Sequence, residues 1–237
     1  KGNTPTMFYT GVGSRNTPPE ALKEMTALAK ELEKAGYTLR TGNAGGADAQ
    51  FRGAARKKEV YYPKDANARA RAIAQEIHPI GKNLTPEKGL DLHARNTFQV
   101  FGKNMNSPSD FVIAWTPDAA ESHTQRGRNT GGTGQAIELA SRRGIPVINL
   151  AKPNWRAKLD AVLSGKAEAE LPTYQAEGAI KVRMIPLIDD ANMKLFREKA
   201  RAAIGFASDP MDEGGLKGRA TFFDELSQHL FKWEVYD

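Results

Sequence analysis

The sequence predicts an α/β protein, a parallel sheet with helices on both faces followed by a C-terminal, mainly helical extension. Three observations predict it. Five β-rich segments alternate with segments of helical periodicity up to about residue 150, and three glycine-rich turns fall between a strand and a helix. The 237 residues are 40% hydrophobic and 26% charged, ordinary values for a chain that buries a core, so neither disorder nor a fibre fits. Strand-helix alternation of this kind builds a Rossmann-like parallel sheet.

The first strand is read at Thr6 to Val12, broken by Gly11 and Gly13. Thr17-Pro18-Pro19-Glu20 reads as a capping box with Thr17 at the N-cap. Leu22, Met25, Leu28 and Leu32 then recur at helical spacing up to a stop at Gly36. Tyr37 to Thr41 forms the second strand, Gly42 to Gly46 a turn, and Ala47 to Lys57 a helix. Glu59 to Tyr62 is the third strand, stopped at Pro63. A polar stretch over 64–90 carries a short helix at Arg69 to Ile77 and a Pro/Gly-rich loop.

A helix at Leu92 to Phe101 leads to a fourth strand, Asp110 to Thr116, and a polar loop from Pro117 to Asn129. The turn Gly131-Gly132-Thr133-Gly134 opens a helix through Arg143, Gly144 ends it, and Pro146 to Leu150 is the fifth strand. These elements define a phosphate-binding domain over 1–151, and 152–237 a separate extension. The extension reads as a helix at Trp155 to Leu163, a strand at Ile180 to Ile188 and a helix at Asn192 to Ile204. A final helix carries the apolar stripe Phe222, Leu226, Leu230 and Trp233, which points to core or a homodimer contact.

The composition excludes several functions. No apolar run approaches the roughly 18 residues of a membrane span, and the first ten residues lack the core of a signal peptide, so a cytoplasmic protein without membrane contact is expected. Zero cysteines rule out disulfides, cysteine-ligated metal and a thiol nucleophile. No H-E-x-x-H, G-x-S-x-G or G-x-x-x-x-G-K-[ST] motif occurs, and no acidic cluster suggests two metals. A dinucleotide fingerprint also fails, because Asn16 stands at the third glycine and no acidic residue ends the second strand. No metal and no cofactor is therefore expected.

What remains is a phosphate cradle. At the carboxyl edge of a parallel sheet, exposed N–H groups and helix N-termini favour anions. The candidates are Gly11, Gly13, Ser14 and Arg15 in the first turn and Thr41, Gly42, Asn43, Gly45, Gly46 and Asp48 in the second. Thr130, Gly131, Gly132 and Thr133 come from the third. Each glycine can equally serve only to make a tight turn. Asp48 at a helix start suits either the backbone donors and dipole there or a sugar or base contact. His93, Arg95 and Asn96 fall within one helical turn, and Arg126 and Arg128 in the loop before the third turn can close over phosphates. Arg52, Arg56, Lys57 and Lys58 suit a backbone-tracking surface, and Tyr61, Tyr62 and Trp115 suit core or base stacking. The formal charge is +6, and residues 1–64 hold 11 Lys/Arg against 6 Asp/Glu, so the surplus lies with the first two turns and favours polyanionic partners.

Gly13-Ser14-Arg15, then Thr41-Gly42-Asn43-Ala44-Gly45-Gly46-Ala47-Asp48, then Gly131-Gly132-Thr133 resemble the SMF/DprA and LOG superfamily, SLOG. The first two are similar to the G-S-R and S-G-x-A-x-G-x-D patterns of its DprA branch, above all DprA-like proteins of phage genomes, with Thr41 and Asn43 as departures. The order of elements over 7–150 agrees, and 151–237 matches nothing in the family. The resemblance implies a Rossmann-like fold and a non-catalytic binder of single-stranded DNA, a recombination mediator, or a relative that binds a nucleotide in the same pocket, including a sensor or sponge for a signalling nucleotide. The LOG branch implies instead an N-glycosidase that releases the base from nucleoside monophosphates, with a catalytic glutamate in P-G-G-x-G-T-x-x-E. With Gly132-Thr133 set as the G-T of that motif, Ala136 falls at the glutamate's place, so a binder is expected first. Glu138 and Asp48 are the acid/base candidates for the enzyme.

Overall fold

The computed structural model describes residues 6–165, together with the backbone of 181–186 and 231–236. By internal packing the chain divides into Lys1–Leu163 and Ser164–Asp237. In the first unit, β1 (Met7–Gly11), α1 (Pro19–Lys34), β2 (Tyr37–Gly42), α2 (Ala47–Ala54) and β3 (Lys58–Tyr61) follow one another. Then come α3 (Ala68–Ile77), α4 (Leu90–Phe101), β4 (Phe111–Ala114), α5 (Gly134–Arg142), β5 (Val147–Asn149) and α6 (Trp155–Leu163). The strands form one sheet in the order β3-β2-β1-β4-β5, and every pairing is parallel.

Alternation along each strand sorts side chains between two helical layers. Tyr9, Leu39, Phe111, Ile113 and Ile148 pack with Met25, Leu28 and Leu32 of α1, Phe51 of α2 and Leu159 of α6. On the opposite face Thr10 donates to the Gln99 carbonyl of α4 at 2.6 Å. There α3 and α4 form a second cluster through Ala70, Ala74, Ala94 and Phe98 with Tyr61.

The largest side chain fully buried in that layer is Arg40 of β2. It is paired to Glu59 at 3.0 Å, lies 3.6 Å over the Phe8 ring and donates to the Ser107 carbonyl. A buried guanidinium is tolerable only with such partners. In sequence it is one charged residue inside an otherwise β-rich run.

Several boundaries differ from the sequence reading, each for a local reason. Thr17 does not cap α1: Pro18 holds that position without a side-chain bond, and the Thr17 hydroxyl turns back to the Ser14 carbonyl at 2.6 Å. Helix α2 stops at Ala54 rather than Lys57, because Glu33 takes the N–H groups of Arg56 and Lys57 at 2.7 and 2.9 Å and holds both outside the helix. The loop after β4 is braced. Asn149 donates to Thr116 and to the Ala120 carbonyl, while Glu121 accepts the Asn149 N–H and pairs with Lys152 and Lys158.

In the second unit, β6 (Lys181–Pro186) pairs antiparallel with β7 (Phe231–Tyr236), placing Met184 opposite Trp233. Trp233 therefore lies in a strand and does not continue a helical stripe, as the alternation of aromatic and β-branched with charged residues in Phe-Lys-Trp-Glu-Val-Tyr explains. Phe222, Leu226, Leu230 and the helix read at Asn192 to Ile204 lie outside the described residues. Among the described residues no helix is long and apolar enough to cross a membrane, and no group of three acidic or imidazole side chains is placed to hold a metal.

Helix α6 belongs to the first unit, beyond the boundary at 151, because Leu159 is fully buried in the α1/α2 layer. Leu159→Ala is expected to destabilise the full chain by about 2–5 kcal/mol in urea unfolding, the usual cost of a core truncation. A change below about 0.5 kcal/mol, as at a surface site, would detach the helix from the core.

Candidate phosphate site at the carboxyl edge of the sheet

With the order β3-β2-β1-β4-β5, the chain leaves β1 towards β2 and leaves β4 towards β5, so the two connections diverge. The crevice at such a switch point is where open parallel sheets take ligands. The first and third glycine turns leave from these two strands, and the second turn follows the neighbouring β2.

The first two turns are locked by close backbone approach. A Cβ at Gly46 would lie 2.6 Å from the Arg15 Cα and carbonyl oxygen, and one at Gly13 would lie 2.6 Å from the Ala47 Cβ. Ser14 donates its N–H to the Trp115 carbonyl at 3.2 Å and accepts the Asn16 N–H on its hydroxyl at 3.0 Å, which ties the first turn to the end of β4. Gly11 makes room for Phe51 and Leu39. The Thr41 hydroxyl is spent on the Gly11 carbonyl at 2.6 Å, inside the sheet. At the rim, Arg15, Asn43 and Gly45 stay exposed.

Below the second turn Asp48, Arg95 and Gln99 converge on Gly42, where a Cβ would lie within 2.6 Å of all three side chains. Asp48 is buried, 4.0 Å from the Arg95 guanidinium, and accepts the Ala44 N–H at 3.3 Å. Its backbone partner is thus the turn, and not the helix start anticipated from its position. Burial pushes its carboxyl above the usual carboxylate range, against the pull of Arg95, the Ala44 N–H, Arg52 and Arg15. Arg95 also donates to the Asn43 side chain, while its Nε and both amide atoms of Gln99 lack a hydrogen-bond partner among the described residues. Asn96 is buried beside them in α4.

The basic run of α2 is structural in part. Arg52 donates to the Gly42 and Ala44 carbonyls at 2.7 and 2.8 Å, stapling the second turn, and Lys58 caps the end of α2 through the Arg52 and Ala55 carbonyls. Of the aromatic candidates, Tyr61 is buried, Trp115 packs against the α1/α2 layer and Tyr62 is 42% exposed with Lys64 over its ring.

The third turn is a 3₁₀ segment, Arg128–Thr133, kinked at Gly131 with φ +65°. The Thr130 hydroxyl donates to Asp118 and accepts the Gly127 N–H at 2.9 Å, so it holds the turn and is not offered to solvent. Gly131, Gly132 and Arg128 are exposed and Thr133 half-buried. Behind the turn Arg126 is buried on Glu138 at 3.5 Å, and Glu138 is paired again with Arg142 at 3.2 Å. Pro79, His123, Arg126, Gly127, Arg128 and Glu138 line a pocket of about 390 Å³, within the range of small-ligand sites. Set on Gly131-Gly132 as the first glycine pair, the P-G-G-x-G-T-x-x-E pattern places Glu138 at the glutamate, with Thr130 and Gln135 as the departures. This corrects the register that put Ala136 there.

Helix α4 bridges the second and third turns, Arg95 reaching Asn43 and His93 lying 4.0 Å from the Cβ position of Gly132. His78, missed in sequence because it stands alone at the end of α3, packs on His93 with ring centroids 4.6 Å apart.

No protein-family model matches the chain, and no curated protein does. A solved structure of DNA processing protein A from Helicobacter pylori, described for its single-stranded DNA binding mode, is similar over 70% of this chain and 75% of that one, at 18% identity and a TM-score of 0.40.

Gly46→Ala is expected to cost at least about 2 kcal/mol in thermal or urea unfolding, since it adds a left-handed backbone penalty to a clash with the Arg15 backbone. Gly45→Ala, with nothing within 4 Å of the new methyl and no left-handed φ, is expected to leave stability within about 0.5 kcal/mol. Equal losses in the two variants would refute the assignment of Gly46 to loop packing.

Burial, His78, Arg126 and Arg95 hold His93 down at about 4, below its ordinary 6.5. The unfolded chain therefore binds more protons between those values, and stability is lost as pH falls from about 6.5 towards 4. His93→Gln is expected to flatten that part of the stability profile, measured by urea midpoints at stepped pH.

Proposed function

We propose that this protein binds a phosphate-bearing ligand, single-stranded DNA or a nucleotide, at the carboxyl edge of its sheet, as a DprA-like binding protein and recombination mediator. One observation carries the reading. Arg15 stands exposed on a turn whose backbone is clamped by Gly46, after one of the two strands that flank the switch point, and the exposed Gly131 and Gly132 of the third turn follow the other. Among the described residues it makes no ion pair within 4.0 Å, so its guanidinium is free for a bidentate phosphate contact. Asn43, Gly45, Arg128, Gly131, Gly132 and Thr133 extend the same rim, and cytoplasmic DNA fits the uneven basic charge.

Arg15→Ala is expected to weaken binding of a labelled single-stranded oligonucleotide by about tenfold or more, the worth of a charge-assisted bond, with an unchanged melting temperature. Fluorescence anisotropy at several salt concentrations, with nucleoside monophosphates as competitors, measures it. Salt-dependent binding that mononucleotides leave undisturbed marks DNA as the ligand. Unchanged affinity in the variant would remove Arg15 from the site.

A second reading, nucleotide N-glycosidase, is favoured by Glu138 lining the 390 Å³ pocket beside Arg126 and Arg128. A carboxylate there can act on the leaving base while arginine holds the phosphate. Its test is base release from nucleoside monophosphates followed by chromatography, lost in Glu138→Gln. Absence of release from every common nucleotide would leave the binding reading alone.

A further inference from the structure

Beneath the third glycine turn lies a group of imidazoles and guanidinium groups that the binding reading does not use. His78 and His93 meet edge to face, with ring centroids 4.6 Å apart and planes at 63°. The Nδ1 of His93 is sealed from solvent and has no hydrogen-bond partner among the described residues, a costly state for a basic nitrogen. The Nδ1 of His78 accepts the Ile80 N–H at 3.3 Å. Gly132 leaves the Cε1 edge of His93 as its nearest neighbour, since no other side-chain or backbone atom falls within 4 Å of its Cβ position. Pro79, next to His78, and Arg126 both line the 390 Å³ pocket.

The charges bearing on this pair are nearly all positive. His93 is faced by His78 at the end of α3, by Arg126 from the segment before the third turn, and by Arg95 on its own helix, while His78 is faced by Arg126. Of the carboxylates on the surrounding elements, Asp91 is engaged with Arg71 at 2.6 Å, Asp48 with Arg95, and Glu138 with Arg126 and Arg142, while Glu76 stands two residues before His78 on α3 and Glu87 in the turn before α4. Empty, the site keeps its histidines neutral, because a proton there adds a cation to a partly buried cluster of cations. An anion above Gly132 reverses the balance, because its negative charge next to the pair offsets that of the added proton.

We propose that His78 and His93 form the floor of a phosphate site at the third glycine turn, and that the pair takes up a proton when a phosphate group seats against Gly131 and Gly132. The inference rests on the proposed phosphate-binding function and adds to it two ligand-facing residues and a pH dependence. Protonation and binding are linked reciprocally: the ligand raises proton affinity, so acid tightens the complex. Binding coupled to one proton strengthens by up to about tenfold per pH unit in the window between the free and bound titration midpoints.

The test is an NMR titration of the His78 and His93 ring signals in the full chain, alone and with each of two probes. One is an oligothymidylate without terminal phosphate, whose phosphodiesters do not titrate near neutrality, and the other is adenosine monophosphate. The expected result is a His93 midpoint at about 4 in the free protein that rises by at least about one unit with a bound probe. The oligothymidylate should also bind about threefold or more tighter at about pH 4.5 than at about pH 6.5, a gain lost in His93→Gln and retained in Arg15→Ala at lower affinity. Which probe moves the ring signals tells whether the phosphate comes from DNA or a free nucleotide. Binding that depends on Arg15 while both rings titrate as in the free protein overturns this inference and leaves the binding function standing. No binding of either probe at any pH overturns both. Should His93→Gln unfold, His78→Gln and the ring midpoints of the unsubstituted protein still decide the matter.

Discussion

The backbone of Arg15 occupies the space where a side chain at residue 46 would begin, and this close approach is the constraint on which the candidate site depends. It sets the first turn against the second, fixes where the Arg15 side chain leaves the surface, and makes two separate strand ends into one rim. The contact needs a glycine twice over, for its left-handed φ of +65° and for its missing Cβ. Gly13 against Ala47 repeats the logic one turn away, and Ser14 N–H on the Trp115 carbonyl extends it to β4. The crevice is thus built by backbone packing, before any side chain that faces a ligand is considered.

Helix α4 carries the opposite tension. It is buried along most of its length, yet its inward residues include Arg95, Asn96, Thr97 and Gln99. Arg95 Nε, the Thr97 hydroxyl and both amide atoms of Gln99 have no partner among the described residues. Native interiors satisfy such groups, with ordered water where protein atoms do not reach. An apolar helix would have packed on β2 at lower cost, so the polarity of α4 reflects its position between the second and third turns. Asp48 belongs to the same balance, since its burial is compensated only in part by Arg95 at 4.0 Å.

The fold was legible because its signals are periodic. Leu22, Met25, Leu28 and Leu32 repeat at helical spacing, and each of the five parallel strands overlaps its β-rich segment, with β2 and β3 each extending one residue beyond it. What escaped was whatever depends on partners distant in sequence. Thr17 looks like a cap until its hydroxyl is seen on Ser14, and Arg40 looks like a surface charge until Glu59, Ser107 and Phe8 surround it. The glycine turns were legible as a set, but not their division of labour, since Gly46 packs on backbone while Gly45 and Gly131 face open space. His78 and His93 are 15 positions apart and meet only through the packing of α3 on α4.

The basic surplus changes meaning once each cation is placed. Arg40, Arg52, Arg71, Arg142 and Arg156 hold carboxylates or carbonyls of the fold, so they add to the net charge without presenting a contact-ready guanidinium. Arg15 and Arg128 are exposed at the two turns that flank the switch point, and Arg95 and Arg126 lie buried behind them. Arg95 and Arg126 are each paired with a buried carboxylate, Asp48 and Glu138, so the positive charge open to a ligand at this edge lies with the exposed pair. In the proposed function, a phosphate at that edge meets backbone N–H groups and guanidinium groups together. For the proposed function the +6 of the whole chain matters less than the placement of these four arginines.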